Sequence, residues 1–360
     1  MKVNFFAPLY GHLGYANHAR NFAKAMDNIG IDVNLIPIHG IDEITMKDPQ
    51  LVKLLKGGNA FDPDAISIKL SVAEPWEMSQ FSGKKKIGYT VLECSRIPER
   101  WVKTLNMMDQ AWTTTKWGKE TFLASGVKEE IIRIVPEGVD TNFFTPDGPK
   151  LDVLKTPTFK FLHVGKWEPR KSQDILCRAF AEEFSKDEDV ELYLLSHNPF
   201  IPNFNIFVEL WKLNLPEHAP IKPITPVTNE ELACLYRSVH CFVAPSKGEG
   251  WNLPLCEAMS SGLPCIATYC TAHTEYLTEK NAILLKDLTI EEAIDPRWQR
   301  YLRGYWYRPS IKELREKMRW VYENYKEAKK IGKRARRDME KKWTWENAAK
   351  KAKEWLEELE

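Results

Sequence analysis

Three stretches of the chain gather side chains that could do chemistry. The densest is Ala244-Pro-Ser-Lys-Gly-Glu-Gly-Trp-Asn-Leu-Pro-Leu-Cys-Glu-Ala-Met259. A strand is expected to end at Pro245, a glycine-flanked loop carries Glu249, and Pro254 stands where a helix begins, a position proline favours. The loop amides of Gly250, Trp251, Asn252 and Leu253, with the helix start behind them, form an anion-binding end. Glu249 falls in the loop and Glu257 on the first turns of the helix, so both can face one bound molecule. Carboxylates suit vicinal hydroxyls, as on a hexose or a ribose, because each oxygen accepts donated hydrogen bonds. Taken alone, the two glutamates also read as a solvated loop residue and a lysine partner.

The second stretch is His163-Val-Gly-Lys-Trp-Glu-Pro-Arg-Lys-Ser172, again strand, loop and helix start, with Ser172 expected to cap the helix. Lys166, Arg170 and Lys171 crowd a helix entrance whose dipole disfavours cations, an arrangement that makes sense with a phosphate between them. Solvated loop charge is the plainer alternative. The third stretch, Pro8-Leu-Tyr-Gly-His-Leu-Gly-Tyr15, is the first strand-to-helix turn. Gly11 and Gly14 would let backbone approach a ligand. It lacks the G-x-G-x-x-G spacing, and no acidic residue closes a good second strand, so a dinucleotide oxidoreductase is poorly supported.

Positioning these loops requires strands and helices in alternation, and the pattern supplies them. Strands are expected at Val3–Ala7, Ile31–Ile38, Ala65–Leu70, Lys86–Leu92, Ala111–Thr115 and Ile131–Pro136. Helices are expected from Gly14, Pro98 and Lys116. Residues 145–158 concentrate proline, glycine and polar residues, the best linker candidate. The alternation then restarts with strands at Phe159–Val164, Val190–Ser196, Cys241–Pro245 and Pro264–Thr268. Alternation of this kind argues for an α/β chain of two doubly wound parallel-sheet units, with ligands at the carboxyl edges of the strands. A chain of 360 residues agrees with two domains. Thr344 is expected to cap a last helix with Trp345, Ala348, Ala349, Ala352, Trp355, Leu356 and Leu359 on one side, a stripe that must dock on something.

Composition excludes other classes. Lys+Arg (51) nearly balances Asp+Glu (50), so a net charge of +1 gives no support for broad nucleic-acid binding. No apolar run reaches the ~20 residues of a membrane span, and no secretory apolar region follows Met1. Seven scattered cysteines suit buried thiols in a reducing compartment, without a paired Cys/His set for zinc. A cytoplasmic location is therefore expected. Tryptophans beside cations (Arg100-Trp-Val-Lys103, Trp112, Lys116-Trp-Gly-Lys119) and the basic run Lys329–Arg337 could form a peripheral contact at the inner membrane face. Buried tryptophans and a solvated helix face are the plainer reading.

Jointly these segments resemble the group-1 (family 4) retaining glycosyltransferases of the GT-B fold. Glu249 and Glu257 reproduce that family's E-x7-E pattern in its E-G-aromatic-x-L-P-x-x-E-A-M setting. Lys166 and Lys171 keep its cation spacing, and Val135-Pro-Glu-Gly-Val-Asp-Thr-Asn-Phe143 is similar to its I-P-N-G-V-D segment. Trp343-Thr-Trp345 resembles the start of its final helix. The resemblance implies two Rossmann-like domains facing across a cleft. Residues 1–150 would be the acceptor-side domain and 151–342 the nucleotide-sugar donor domain, with the helix at 343–360 crossing back to the first. It implies that Lys171 and Lys166 bind the donor diphosphate, with Arg170 beside them, that Glu249 contacts the donor sugar and Glu257 the ribose. Gly14 and the backbone of Gly250, Trp251, Asn252 and Leu253 would help to hold the donor.

By the same resemblance the chain transfers a sugar from a nucleoside-diphosphate sugar with retention, needing no metal and no cofactor beyond that co-substrate. The acceptor would be a glycan, a lipid-linked or a small-molecule hydroxyl, with no nucleic-acid partner. Lys166 stands where the family more often has arginine, Ser172 and Asn252 where it commonly has glycine. The acceptor-side histidine of many relatives has no clear match, leaving Thr90 and Glu93, in a Y-T-x-x-E segment, and His12 as candidates. A catalytically silent nucleotide-sugar or glycan-binding protein, or a phosphorylase on the same fold, is the alternative.

Overall fold

The alternating pattern folds into two units, each built on a six-stranded sheet. The structure, a computed structural model, describes residues 1–11, 14–55, 61–151, 157–296 and 302–360. The first unit contains the described residues of Met1–Gly138, Arg300–Arg303 and Lys342–Glu360, and the second those of Val139–Gln299 and Gly304–Lys341. The chain thus leaves the first unit at Gly138, ahead of the proline- and glycine-rich stretch, whose residues 152–156 lie outside the described residues.

In the first unit the strands are β1 (Lys2–Leu9), β2 (Asp32–Ile41), β3 (Ile66–Leu70), β4 (Lys85–Tyr89), β5 (Gln110–Thr113) and β6 (Ile132–Ile134). They lie in the order β2-β1-β3-β4-β5-β6, all parallel. β3 and β5 are buried along their whole length, as expected of strands covered on both faces. The helix Gly14–Asn28 lays Ala16, Ala19, Phe22, Ala23 and Met26 against the sheet, the face its three-and-four spacing predicts.

The apolar stripe of the last helix finds its partner in this unit. Thr344 accepts a hydrogen bond from the Asn347 amide, and Trp345, Ala348, Ala349, Ala352 and Leu356 are buried. Trp355 donates from Nε1 to the Ile134 carbonyl at 3.0 Å, and Gln110 Nε2 donates to the Trp355 carbonyl at 3.1 Å. Burying side chains the size of Trp345 and Leu356 contributes about 1.5–3 kcal/mol each. Gly138 lies so close to this helix start that a Cβ there would meet the backbone of Thr344 and Trp345.

The second unit holds β7 (Phe159–Val164), β8 (Val190–Leu195), β9 (Ile221–Pro223), β10 (Cys241–Ala244), β11 (Cys265–Thr268) and β12 (Ile283–Leu285). Their order is β12-β11-β10-β7-β8-β9, again parallel throughout. Counted within the unit this is 3-2-1-4-5-6, so strand order reverses between β7 and β10, where open α/β sheets bind ligands. The helix Gln173–Glu183 buries Ile175, Leu176, Ala179 and Phe180 in a core shared with Phe184, Leu192 and Val243. An antiparallel hairpin, β13 (Leu288–Glu292) with β14 (Tyr305–Pro309), was not anticipated, and neither were the short strands β9 and β12.

Candidate functional site

The loops after β7 and β10 are neighbours at that reversal, and both carry the charged residues singled out above. Lys171 Nζ donates to Glu249 Oε1 at 2.6 Å. Arg170 Nη1 donates to Glu249 Oε2 at 2.7 Å and to the Gly248 carbonyl at 2.7 Å, while its Nη2 donates to Glu168 Oε1 at 2.6 Å. Lys166 lies at the outer end of this chain of charges, 3.3 Å from Glu168 Oε2 and partly exposed, with Nζ 5.3 Å from the centre of the Phe200 ring. Glu168, Arg170, Lys171 and Glu249 are all buried. Burial alone would raise the Glu249 carboxyl's pKa, but Lys171 and Arg170 hold it well below the usual range. Glu168 is likewise held down by Arg170, Lys166 and Lys171 against the effect of burial. Three cations meeting two carboxylates leave a local excess of positive charge in a chain that is nearly neutral.

Local backbone geometry explains how these side chains converge. A short 3-10 turn at Pro169–Lys171 precedes the helix, and Ser172 follows it at φ 59°, in the left-handed region. The expected capping role of Ser172 is not seen: from that conformation its side chain makes no bond to the helix amides. Among the described residues its buried hydroxyl, like those of Ser196 and Ser246, has no hydrogen-bond partner in the protein. His163, near the end of β7, donates from Nδ1 to the Val243 carbonyl at 2.8 Å, and burial lowers its pKa to about 4. It thus ties the ends of the two strands that carry the loops.

Asn252 adopts φ 83°, a left-handed geometry that asparagine tolerates, and opens the helix Leu253–Ser260. Gly250, Trp251 and Leu253 are buried beside it. Glu257 lies on this helix and accepts a hydrogen bond from the Tyr236 hydroxyl at 2.9 Å. Burial pushes its carboxyl up to about 7, and the Tyr236 bond only partly offsets that. The two glutamates are therefore electrostatic opposites. Its cations favour the ionised form of Glu249, whereas burial disfavours that of Glu257.

The first-unit candidates form a separate group. Gly14 begins the first helix, and a Cβ there would meet nothing within 4 Å among the described residues. Thr90 is buried, its hydroxyl 3.2 Å from that of Tyr15, and Glu93 is half-buried on the following segment. His12 lies outside the described residues. Trp101 and Trp112 are buried, and Trp101 Nε1 donates to Glu74 at 2.8 Å, which removes both from any surface patch. Lys329, Lys330, Lys333, Arg334 and Arg337 are exposed along the helix Tyr325–Lys342. No helix among the described residues is long and apolar enough to cross a membrane.

Some residues now at the centre of the site carried no clear signal. Glu168 sits inside the second stretch, between Lys166 and Arg170, and pairs with both. Tyr236 reaches the site from an element distant in sequence, which no local pattern reveals, whereas Thr271 and His273 lie in the loop after β11, at the carboxyl edge of the strands where ligands were expected.

The architecture defines a class. It matches the GT-B structures over essentially its whole length, including sucrose-phosphate synthase from Thermosynechococcus elongatus (TM-score 0.73, 17% identity, covering 99% of this chain and 98% of that one). Anabaena Alr3699/HepE, solved in complex with UDP-glucose, gives a TM-score of 0.70 at 14% identity, covering 99% and 100%. By sequence, residues 158–295 match the family described as glycosyl transferases group 1. A D-inositol 3-phosphate glycosyltransferase of Paenarthrobacter aurescens is 28% identical over 149 residues, 40% of this chain. The chain spans 36% of that relative's length.

Proposed function

We propose that the protein transfers a sugar from a nucleoside-diphosphate sugar to an acceptor hydroxyl with retention of configuration and without a metal. The observation that carries this reading is the buried Lys171–Glu249–Arg170 cluster at the strand-order reversal, with Glu257 on the helix that opens from the same loop. Lys171, with Lys166 further out, supplies positive charge to a leaving diphosphate, and the helix start at Leu253 adds its dipole. Arg170 stays on Glu249 when Lys171 turns to the phosphate, so the carboxylate keeps a partner. Glu249 is then free at one oxygen to face the transferred sugar, and Glu257 accepts the ribose hydroxyls.

In the transfer step the bond from the anomeric carbon to the diphosphate breaks as the acceptor oxygen bonds to that carbon from the same face. The acceptor proton passes to a diphosphate oxygen, so the positive groups stabilise the charge that the leaving group carries. The acceptor is a glycan, lipid-linked or small-molecule hydroxyl, with Thr90, Glu93 and His12 as first-unit candidates to meet it. A thermal-shift screen against UDP-, GDP- and ADP-sugars tests the reading. One donor should raise the melting temperature, by an amount that grows with its concentration, and no shift with any donor would count against it.

A further inference from the structure

The segment Ser246–Asn252, which carries Glu249, has no regular secondary structure, yet a group meant to meet a reacting sugar must be held firmly. The turn that follows β11 holds it at every few residues. Thr268 Oγ1 donates to the Ser246 carbonyl at 2.6 Å. The Thr271 hydroxyl accepts the Glu249 amide N–H at 3.0 Å, and the Ala272 amide donates back to the Glu249 carbonyl at 3.3 Å. Tyr276 Oη donates to the Trp251 carbonyl at 2.6 Å. His273 Nδ1 lies 2.8 Å from the Thr268 carbonyl and Nε2 lies 3.0 Å from Asn252 Nδ2. With Nδ1 donating, Nε2 is left as the acceptor the Asn252 amide requires.

Thr271 accomplishes this from an unfavourable backbone. Its φ is 50°, a left-handed conformation that a β-branched residue avoids. Such a conformation persists only where its surroundings hold it, and strain of this kind gathers at functional sites. Here the Thr271 carbonyl accepts from both the amide and the hydroxyl of Thr274, at 3.2 and 2.7 Å. Glycine would take up this turn without strain but has no hydroxyl for the Glu249 amide. Asn252, the other end of the held segment, is left-handed too.

We infer that the turn after β11 fixes the place of Glu249 from behind, with Thr271 and His273 as positioning residues for sugar transfer. This rests on the reading that Glu249 faces the transferred sugar. Neither residue touches the nucleotide in this account, so loss of the anchor should affect turnover rather than donor binding.

Thr271→Gly, Thr271→Ser and Asn252→Gly test it, with kcat measured per folded molecule, donor affinity by titration with the nucleotide sugar, and thermal melts alongside. Thr271→Gly should lower kcat about tenfold to a hundredfold, with donor affinity changed by less than about twofold. Thr271→Ser keeps the acceptor oxygen and should stay near wild-type kcat. Asn252→Gly accepts the left-handed backbone but cannot reach His273, so it too should lower kcat, and it provides the test if Thr271→Gly folds poorly. Wild-type kcat in Thr271→Gly, or in Asn252→Gly where the first variant does not fold, would overturn the inference while leaving the sugar-transfer reading standing. An equal loss in Thr271→Ser would also overturn it, since the hydroxyl would then not be what matters. Absence of transfer by the wild-type protein from any of the three donors would instead overturn the functional reading, and this inference with it.

Discussion

Glu257 offers the sharpest electrostatic test, because its carboxyl is buried with no ion-pair partner among the described residues. Burial holds it at about 7 against an ordinary value of 4.5. The difference corresponds to about 3 kcal/mol between the two protonation states. For the ligand-free protein the sign follows from linkage: a pKa raised on folding contributes stability that is full below 4.5 and is lost as pH rises through 7. Ribose hydroxyls donate to the ionised form, so nucleotide binding should go the other way and draw a proton off Glu257. If the bound carboxylate titrates near its ordinary value, donor affinity should weaken about tenfold from pH 8 to pH 6.

The donor diphosphate is a diester with no ionisation in that range, so the slope reports on the protein. Titration calorimetry at pH 6, 7 and 8, in buffers of different ionisation enthalpy, reads both the affinity and the proton released. Glu257→Gln should weaken binding at pH 8 and flatten the dependence. Tyr236→Phe removes the bond that partly stabilises the carboxylate, so its midpoint should move upward. A wild-type affinity that does not change between pH 6 and 8, or a slope that survives Glu257→Gln, would refute the ribose assignment.

Further outcomes follow from the same geometry. Lys171→Ala should lower kcat/KM by about a hundredfold or more, the scale of removing one preorganised donor from a developing charge; steady-state kinetics showing no change would take Lys171 out of the mechanism. Glu249→Gln keeps the shape but leaves Arg170 and Lys171 without their buried carboxylate charge. It should lower kcat more than it raises donor KM, and wild-type kcat below the melting temperature would contradict the role given to Glu249. Gly138→Ala sets a methyl against the backbone at Trp345. It should lower the unfolding free energy by about 1–3 kcal/mol in denaturant melts, and an unchanged midpoint would refute that packing.

The alternation of strands and helices and the stripe of the last helix were legible because they are local. β3, β5 and β10 are short apolar runs between turn signals, and Thr344 precedes a helix-period stripe, so each announces itself within a few residues. The charged loops were legible for a similar reason: each follows a strand in which the apolar pattern stops abruptly. The contacts that give the site its electrostatics were not. Whether Arg170 faces solvent or Glu249 depends on β7 and β10 being adjacent, a pairing across 80 residues of chain. Tyr236 against Glu257 and Thr271 against Glu249 are of the same long-range kind. Ser172 misled because a serine before a helix usually caps it, whereas here the left-handed backbone turns the hydroxyl aside. β13 and β14 escaped because their alternation is broken by exposed charge.

Transfer itself is best followed by proton NMR of the anomeric signals, with an α-linked nucleotide sugar as donor, excess EDTA present, and a simple acceptor alcohol or glycan. Release of the nucleoside diphosphate is expected, with a product whose anomeric coupling keeps the donor's α configuration, at a rate insensitive to the chelator. A β-configured product, or transfer abolished by EDTA and restored by Mn²⁺ or Mg²⁺, would contradict that expectation.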